Sequence, residues 1–235
     1  MSVSFVFIII MGLFIYSLPD LDQYTFSTLK KVARRSVRTK LEDQKKLYKW
    51  VSFKNINRDC IYAVIFSEDS TFYRHDGFNY DAIINAFAEN LKQRRFAYGA
   101  STISQQVVKN LFLTNEKSFS RKLKEFLLTR DLERVFTKNQ IMEIYLNIAE
   151  FGPDIFGINA ASHYYFKKPP LSVNAGESAL LALMLPSPRK NHYSIYKNRN
   201  LTNKKRRKVK RVLREMLFNE FISQGQYQTY LTYSF

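Results

Sequence analysis

The sequence TKNQIMEIYLNIAE, residues 137–150, contains the strongest helix signal in the chain. Thr137 and Gln140 have the spacing of a capping box, in which each side chain bonds the other residue's backbone N–H. Apolar side chains then recur at the i, i+3, i+4 and i+7 positions of one helix face: Ile141, Ile144, Tyr145 and Ile148. The stretch therefore predicts an amphipathic helix that packs against a larger core.

Helical patterns on both sides of this stretch predict a mainly α-helical chain. Apolar periodicity predicts three more helices, near residues 61–65, at 82–91 and from about 118 to 136. Ser101 or Thr102 is a suitable N-cap for another helix. Residues 175–185 are apolar on all sides, which predicts a buried helix that Pro186 ends. A last helix carries one apolar stripe of Val209, Val212, Leu213, Met216 and Leu217. Few windows alternate with period two, so a large sheet is not expected.

The composition excludes several classes of protein. The 235 residues include 37 Lys and Arg against 20 Asp and Glu, a formal net charge of +17. With 46% hydrophobic residues the chain can bury a core, which excludes intrinsic disorder as its main state. The single cysteine, Cys60, excludes an intramolecular disulfide framework and a cysteine-rich zinc site. The basic balance predicts an anionic partner.

The N-terminus, residues 1–19, is predicted to be a membrane anchor. Residues 5–16 carry no charged side chain, although the run is short for a hydrocarbon core about 30 Å thick. A cleaved signal peptide and a buried core helix are the alternatives. The first lacks a basic segment before the run, and the second lacks an amphipathic face. Basic residues after the run favour the cytoplasm for that side, so charge leaves the orientation open.

The rest of the chain is interpreted as three parts. Residues 20–58 are polar and basic and are interpreted as a neck, residues 59–220 as a catalytic domain and residues 221–235 as a C-terminal tail. Residue types suited to chemistry concentrate between residues 66 and 150.

The first cluster of such residues is FSEDSTFYRHDGFNYDAI, residues 66–83. Glu68 and Asp69 follow an apolar helix end there, and a carboxylate at that position is a candidate general base. Charge alone favours the alternative, a solvated pair of acids at a helix terminus. The second cluster, YGASTISQQVVKNLFL at 98–113, places Gln105 and Lys109 one helical turn apart. That stripe suits phosphate or sugar hydroxyls, but an ordinary surface helix fits the spacing equally well.

The third cluster is KSFSRKLKEFLLTRDLE, residues 117–133. Four cations surround Glu125 in it: Lys117, Arg121, Lys122 and Lys124. Such a group could hold a diphosphate. The alternative is a plain helix in which Arg121 and Glu125 form an i, i+4 pair.

Taken in order, these motifs resemble the peptidoglycan glycosyltransferases, glycosyltransferase family 51. The resemblance is carried by SEDSTFYRHDGF, GASTISQQVVKNLFL, RKLKE and KNQIMEIYLNIAEFG, and it spans about residues 60–215. No penicillin-binding transpeptidase module follows these motifs in the sequence, so we expect the monofunctional type of the family.

The resemblance implies a mainly α, lysozyme-like fold of two lobes, with the site in the cleft between them and an N-terminal transmembrane helix. It implies that the protein polymerises lipid II into glycan strands by inverting β-1,4 transfer and releases undecaprenyl diphosphate. Glu68 matches the family's catalytic base, and Glu125 matches a second carboxylate that helps to orient the donor diphosphate. The implied substrate-binding residues are Gln105, Gln106, Lys109, Lys117, Arg121 and Lys122. A divalent cation, Mg²⁺ or Mn²⁺, at the diphosphate is left open.

The resemblance also implies a location and partners. It places the protein in the bacterial inner membrane as a single-pass protein with the catalytic domain on the periplasmic side. The implied partners are lipid II, the growing glycan, membrane lipids, and penicillin-binding and divisome proteins. Nucleic acid is not an expected partner.

Three positions in two motifs depart from the family pattern. Lys117 stands where arginine is usual, so the charge is kept while bidentate phosphate contact is lost. The last family motif resembles RRxxVL, and alignment on Val212 and Leu213 puts Lys208 and Val209 where two arginines are expected. This alignment assigns no role to the preceding arginines, Arg206 and Arg207.

Three other function classes compete with this interpretation. A lysozyme-like hydrolase also uses two carboxylates on a helical scaffold, but a neutral glycan has little need of Lys109, Lys117 and Arg121. Eight of the eleven residues from 204 to 214 are Lys or Arg, a density found in nucleic-acid-binding segments, yet their apolar stripe favours a solvated helix face or lipid headgroups. A catalytically inactive membrane scaffold is disfavoured by the intact acids and amides.

Overall fold

The computed structural model describes residues 14, 16, 18–41, 48–94, 100–114, 116 and 118–233. Its helices are α1 (Phe26–Arg38), α2 (Arg58–Glu68), α3 (Tyr80–Gln93), α4 (Ile103–Phe112), α5 (Phe119–Val135), α6 (Lys138–Ile148), α7 (Gly157–Phe166), α8 (Ala175–Met184), α9 (Pro188–Asn191), α10 (Asn203–Phe218) and α11 (Gln224–Tyr230). Short 3-10 turns lie at Leu21–Gln23, Phe53–Asn55, Phe72–Arg74 and Pro170–Ser172, and a π-helix at His192–Lys197. The predicted mainly α fold class is confirmed.

The centre of the molecule is helix α8, which packs against α2 and α10. All ten of its residues are buried, because its apolar side chains point in every direction and meet a neighbour on each side. Asn174 and Glu177 close a capping box at its N-terminus, which satisfies two backbone N–H groups that would otherwise be unpaired. In α10 the predicted apolar stripe faces this core through Val209, Val212, Leu213 and Met216, while Leu217 is half-buried.

A second group of helices packs on the first: α4 lies against α5 and α6, and α1 lies against α6. The capping box predicted at Thr137 and Gln140 is present at the start of α6. Helix α4 begins at Ile103 with Thr102 as its N-cap, and α5 begins after Ser118. These three helix starts agree with the sequence prediction.

Part of the segment interpreted as a neck belongs to this core. Leu29, Ala33 and Val37 of α1 are fully buried. Further along, Trp50 Nε1 donates to Glu143 Oε1 at 2.9 Å, and the Val51 N–H donates to Asn147 Oδ1 at 2.8 Å. The polar stripe of α6 therefore binds the incoming chain instead of facing water.

The described residues contain one small β-hairpin, in which β1 (Glu150–Gly152) pairs antiparallel with β2 (Ile155–Phe156). Gly157 follows β2 with φ +81°, and a Cβ there would meet the Asn147 carbonyl oxygen at 2.8 Å. Only glycine fits this turn, because it has both a left-handed backbone and a neighbouring backbone within contact distance.

Helix α3 differs from the rest because it buries none of its 14 residues. Its apolar face remains exposed at Ile84 (65%), Phe87 (70%) and Leu91 (69%). Phe119, the first residue of α5, is also exposed.

Within the described part of the chain, no helix is both long enough and apolar enough to cross a bilayer. The anchor predicted for residues 1–19 lies almost wholly outside the described residues.

Candidate functional site

Glu68 is the last residue of α2 and lies beside the central helix. Its Oε1 accepts a hydrogen bond from Ser67 Oγ at 2.9 Å, and Ser67 Oγ is also 3.3 Å from the Ala182 carbonyl oxygen of α8. Lys208 Nζ of α10 lies 3.2 Å from the same Glu68 oxygen. Glu68 thus stands at a junction of three packed helices, which limits where its carboxylate can move.

The Glu68 carboxylate lines a cavity of about 180 Å³. Ser67 of α2 and the exposed Arg211 of α10 line it together with Asn79 and Ala82, at the start of α3, and Thr102, the N-cap of α4. The cavity is large enough for a substrate hydroxyl and part of a sugar ring, and it is bordered by both the buried core and the exposed helix α3.

Asp69 is buried next to Glu68 and has a different role. Its Oδ2 accepts from the backbone N–H of Ile103 at 3.0 Å, and its Oδ1 is bonded to His75 Nε2 at 2.9 Å. Since the Gly77 N–H donates to His75 Nδ1, the His75 proton is on Nε2 and is donated to Asp69. Asp69 therefore ties the loop after α2 to the first turn of α4. The two acids are not a solvated surface pair.

Glu125 is the centre of a second cluster, on α5. It is 3% exposed, and its carboxylate accepts from Arg121 at 2.9 Å, from Gln105 at 3.3 Å and from Lys122. Gln105 also closes the capping box at the start of α4 with Thr102, which lines the Glu68 cavity. The structure thus brings four of the predicted site residues together: Gln105, Arg121, Lys122 and Glu125.

Lys109 lines a different cavity of about 460 Å³. Gln106 and Tyr145 line it as well, and the Tyr145 hydroxyl donates to Gln106 Oε1 at 3.3 Å. Two further cations, Lys40 and Arg189, face the same space together with Glu150. The cavity is therefore cationic on balance.

Tyr145 connects the two cavities electrostatically. Burial raises the pKa of its hydroxyl well above the usual value, and the carboxylates of Glu68 and Asp69 raise this pKa further. Tyr145 thus lines the Lys109 cavity while it lies within electrostatic reach of Glu68. Burial is also the main reason that the pKa of Lys40 is lowered and that of Glu150 is raised.

The sequence prediction missed one neighbour of Glu68. One predicted site residue, Lys117, cannot be compared with the structure. Lys208, to which no role was assigned, forms the ion pair with Glu68. The signal was present, because alignment of the last motif put Lys208 where an arginine was expected. Lys117 lies outside the described residues. Among the described residues, no group of three or more His, Cys, Asp or Glu is arranged to hold a metal ion.

Comparison with known proteins identifies sequences similar to this one. The profile of the Transglycosylase family matches residues 34–217. The chain is 43% identical over 171 residues to a biosynthetic peptidoglycan transglycosylase of Nitrosomonas eutropha, covering 73% of this chain and 68% of the relative. Proteins of the same name from Pasteurella multocida and Haemophilus influenzae are 48% and 45% identical over 141 and 178 residues. These two alignments cover 60% and 75% of this chain, and 57% and 70% of the relatives.

Proposed function

Because this chain belongs to the transglycosylase family, we propose that it polymerises lipid II into the glycan strands of peptidoglycan. The reaction is an inverting β-1,4 glycosyl transfer that releases undecaprenyl diphosphate. The observation that carries the proposal is the position of Glu68: its carboxylate lines a cavity, and it is held there by Ser67 and Lys208.

The family and the enzyme class expected from the motifs are confirmed by the match over residues 34–217 and by relatives named as transglycosylases. The competing hydrolase interpretation is not supported by these relatives. The acceptor, the donor and the role of each residue remain part of the proposal.

In the proposed mechanism Glu68 is the general base. Its carboxylate takes the proton of the acceptor 4-hydroxyl, and the oxygen attacks the anomeric carbon of the growing chain from the side opposite the diphosphate. The bond from that carbon to the diphosphate breaks, and the leaving group takes the electron pair. Among the described residues, the hydrogen bonds to Glu68 fall on Oε1, which supports Oε2 as the oxygen that meets the substrate.

Cations stabilise the leaving diphosphate in this proposal. Negative charge accumulates on it in the transition state, so fixed positive groups stabilise that state more than the ground state. Lys109, Gln105 and Gln106 are the proposed contacts from α4, and Arg121 and Lys122 those from α5. Lys117 is assigned the same role, although it lies outside the described residues.

Glu125 is proposed to act through these cations. Its buried carboxylate binds Arg121 and Lys122, so it fixes their direction and compensates part of their charge. A divalent cation at the diphosphate stays an untested expectation: the Glu125 oxygens accept from three donors, and the described residues contain no group of three or more His, Cys, Asp or Glu arranged to hold a metal ion. We therefore route no step through a metal ion.

The proposed location is the surface of the bacterial inner membrane, with the catalytic domain in the periplasm. A lipid-linked donor and acceptor require a membrane surface, and the periplasmic side of the inner membrane is taken from the family resemblance. The exposed apolar face of α3 supports it, because Ile84, Phe87 and Leu91 would be buried on contact with the bilayer. The anchor in residues 1–19, and penicillin-binding and divisome proteins as partners, rest on the family resemblance alone. Nucleic acid remains an unexpected partner.

Two incubations test the proposed function. The purified full-length protein is incubated separately with lipid II and with finished cell wall. We expect glycan polymer from lipid II and no soluble muropeptides from the wall. Muropeptides without polymer would instead indicate a hydrolase.

A further inference from the structure

A groove that the proposed mechanism does not use lies beside the Glu68 cavity. It encloses about 680 Å³, and its lining includes Tyr62, Phe66, Tyr73, Arg74, Arg211 and Phe221. It comes from three parts of the chain: the end of α2, the turn after it, and the end of α10 with the residues that follow.

The groove is continuous with the candidate site. Phe66, Ser70 and Arg211 line both this groove and the Glu68 cavity. At the other end, Tyr62 and Tyr73 also line a third cavity of about 440 Å³ together with Lys54 and Arg58. A chemical group that extends from a sugar at Glu68 therefore has a continuous path along the surface.

The walls of this path are strongly positive. Four cations line the groove and the third cavity, namely Lys54, Arg58, Arg74 and Arg211. Glu215 is the one acidic residue that lines the same two spaces within the described chain. Guanidinium groups bind carboxylates in a bidentate manner, so this surface is complementary to a ligand that carries several carboxylates.

Aromatic rings provide a preformed apolar floor between the cations. The ring centroids of Tyr62 and Phe221 are 4.1 Å apart, and the Arg58 guanidinium stacks 4.6 Å over Phe221. The Tyr73 hydroxyl donates to Asn139 at 2.9 Å, which holds that ring in place. Rigid rings of this kind bind the aliphatic parts of a peptide with little loss of side-chain entropy.

We propose that this groove binds a peptide that carries several carboxylates and is attached to the sugar that reacts at Glu68. This inference rests on the proposed function and deepens it, since it assigns a specificity site for the peptide part of the substrate. Arg58 and Arg74 bind peptide carboxylates, and Tyr62, Tyr73 and Phe221 contact the apolar side chains between them.

The test compares two lipid-linked substrates that differ only in the peptide: one carries free carboxylates, and in the other they are amides. The variant is Arg58→Gln with Arg74→Gln, because neither arginine lines the Glu68 cavity. The control is Arg130→Gln with Arg214→Gln, which removes the same charge from two exposed arginines outside the groove. For the groove variant we expect the ratio of kcat/KM for the acidic over the amidated substrate to fall about tenfold. The control ratio stays at the wild-type value.

An equal loss of kcat/KM on both substrates, as a lipid-headgroup site would give, overturns the proposal, and so does an unchanged ratio. If the wild-type protein polymerises neither substrate, the proposed function fails and a binding titration decides about the groove. The free acidic peptide is then titrated against wild-type and variant protein. Binding that is about tenfold weaker in the variant supports the groove, and equal or absent binding rejects it.

Discussion

Helices α8 and α3 both carry an apolar surface, but the two surfaces lie in opposite environments. Every residue of α8 is buried, whereas α3 buries none of its residues and exposes Ile84, Phe87 and Leu91. Glu68 lies between the two helices, since Ser67 contacts α8 and Ala82 of α3 lines the Glu68 cavity. The apolar surface of α8 therefore stabilises the fold, while that of α3 is left exposed among the described residues.

Substitution at the boundary between the helices has the largest expected effect on activity. Glu68→Gln removes the base, and polymerisation of lipid II falls about 10³-fold. The free energy of unfolding changes by less than about 1 kcal/mol, because the Glu68–Lys208 pair is partly exposed. Asp81→Asn, an exposed change of the same kind on α3, is the control and keeps activity. Near-normal turnover in Glu68→Gln would remove Glu68 from the mechanism.

The Glu125 carboxylate is buried like the residues of α8 but carries charge. Glu125→Ala removes the hydrogen bonds that its buried carboxylate accepts from Arg121 and the half-exposed Lys122, so we expect the free energy of unfolding to fall by about 1–3 kcal/mol. Chemical denaturation measures this loss, and lipid II polymerisation measured on the folded fraction shows a loss of activity as well. A stable variant with full activity would mean that Glu125 has neither role.

A substitution that creates a cavity beside α8 is expected to lower stability without changing activity. Leu181 is fully buried, and Leu181→Ala lowers the free energy of unfolding by about 3 kcal/mol. Activity per folded molecule remains at the wild-type level, since Leu181 lines none of the cavities of the site. Urea denaturation measures the free energy of unfolding. Lipid II polymerisation, divided by the amount of folded protein, measures the activity. A loss below about 1 kcal/mol would contradict the assignment of α8 as the stabilising core.

The matching change on α3 affects binding alone. Phe87→Ser with Leu91→Ser leaves the free energy of unfolding within about 0.5 kcal/mol, since both side chains are exposed. Affinity for vesicles of anionic phospholipid falls about tenfold, measured by co-sedimentation. Leu171→Ser with Tyr193→Ser removes two exposed apolar side chains elsewhere and keeps the affinity. Equal vesicle binding in both variants would contradict a role of α3 in membrane binding.

The smallest expected effect is a pH dependence of the free energy of unfolding, which comes from a buried histidine near β1. His192 is buried against Tyr165, and burial, followed by the Lys197 charge, lowers its pKa below the ordinary 6.5. The folded state therefore favours the neutral ring. The stability from this preference is complete above pH 6.5 and is lost as the pH falls towards the folded-state pKa. The slope is at most about 1.4 kcal/mol per pH unit, and His192→Gln reduces it in denaturation curves at pH 7 and pH 5. An identical slope in the variant would contradict this assignment.

Much of the fold was predictable from local signals. The capping box at Thr137, the N-cap at Thr102 and the apolar stripe of α10 are short-range patterns that are present in the structure. The burial of Glu143 and Asn147 was not predictable, because their partners Trp50 and Val51 are more than 90 residues away in sequence. The amphipathic pattern of α3 predicted a helix but could not show that its apolar face has no protein partner among the described residues.

The candidate site was predictable where motifs are contiguous. The i, i+4 spacing of Arg121 and Glu125 gives the observed ion pair directly. The Lys208–Glu68 pair joins residues 140 positions apart, so only the fold brings it together. The separation of Lys109 from Glu68 into two cavities also depends on tertiary packing that no local pattern encodes.

Counting the glycosidic bonds formed and the lipid diphosphates released tests the proposed glycosyl transfer directly. Full-length protein is incubated with labelled lipid II, and new glycosidic bonds and free undecaprenyl diphosphate are both quantified over time. We predict one lipid diphosphate released for each glycosidic bond formed in the wild-type protein, and neither product above background in Glu68→Gln. Release of lipid diphosphate without new glycosidic bonds, or equal rates in the two proteins, would contradict glycosyl transfer with Glu68 as its base.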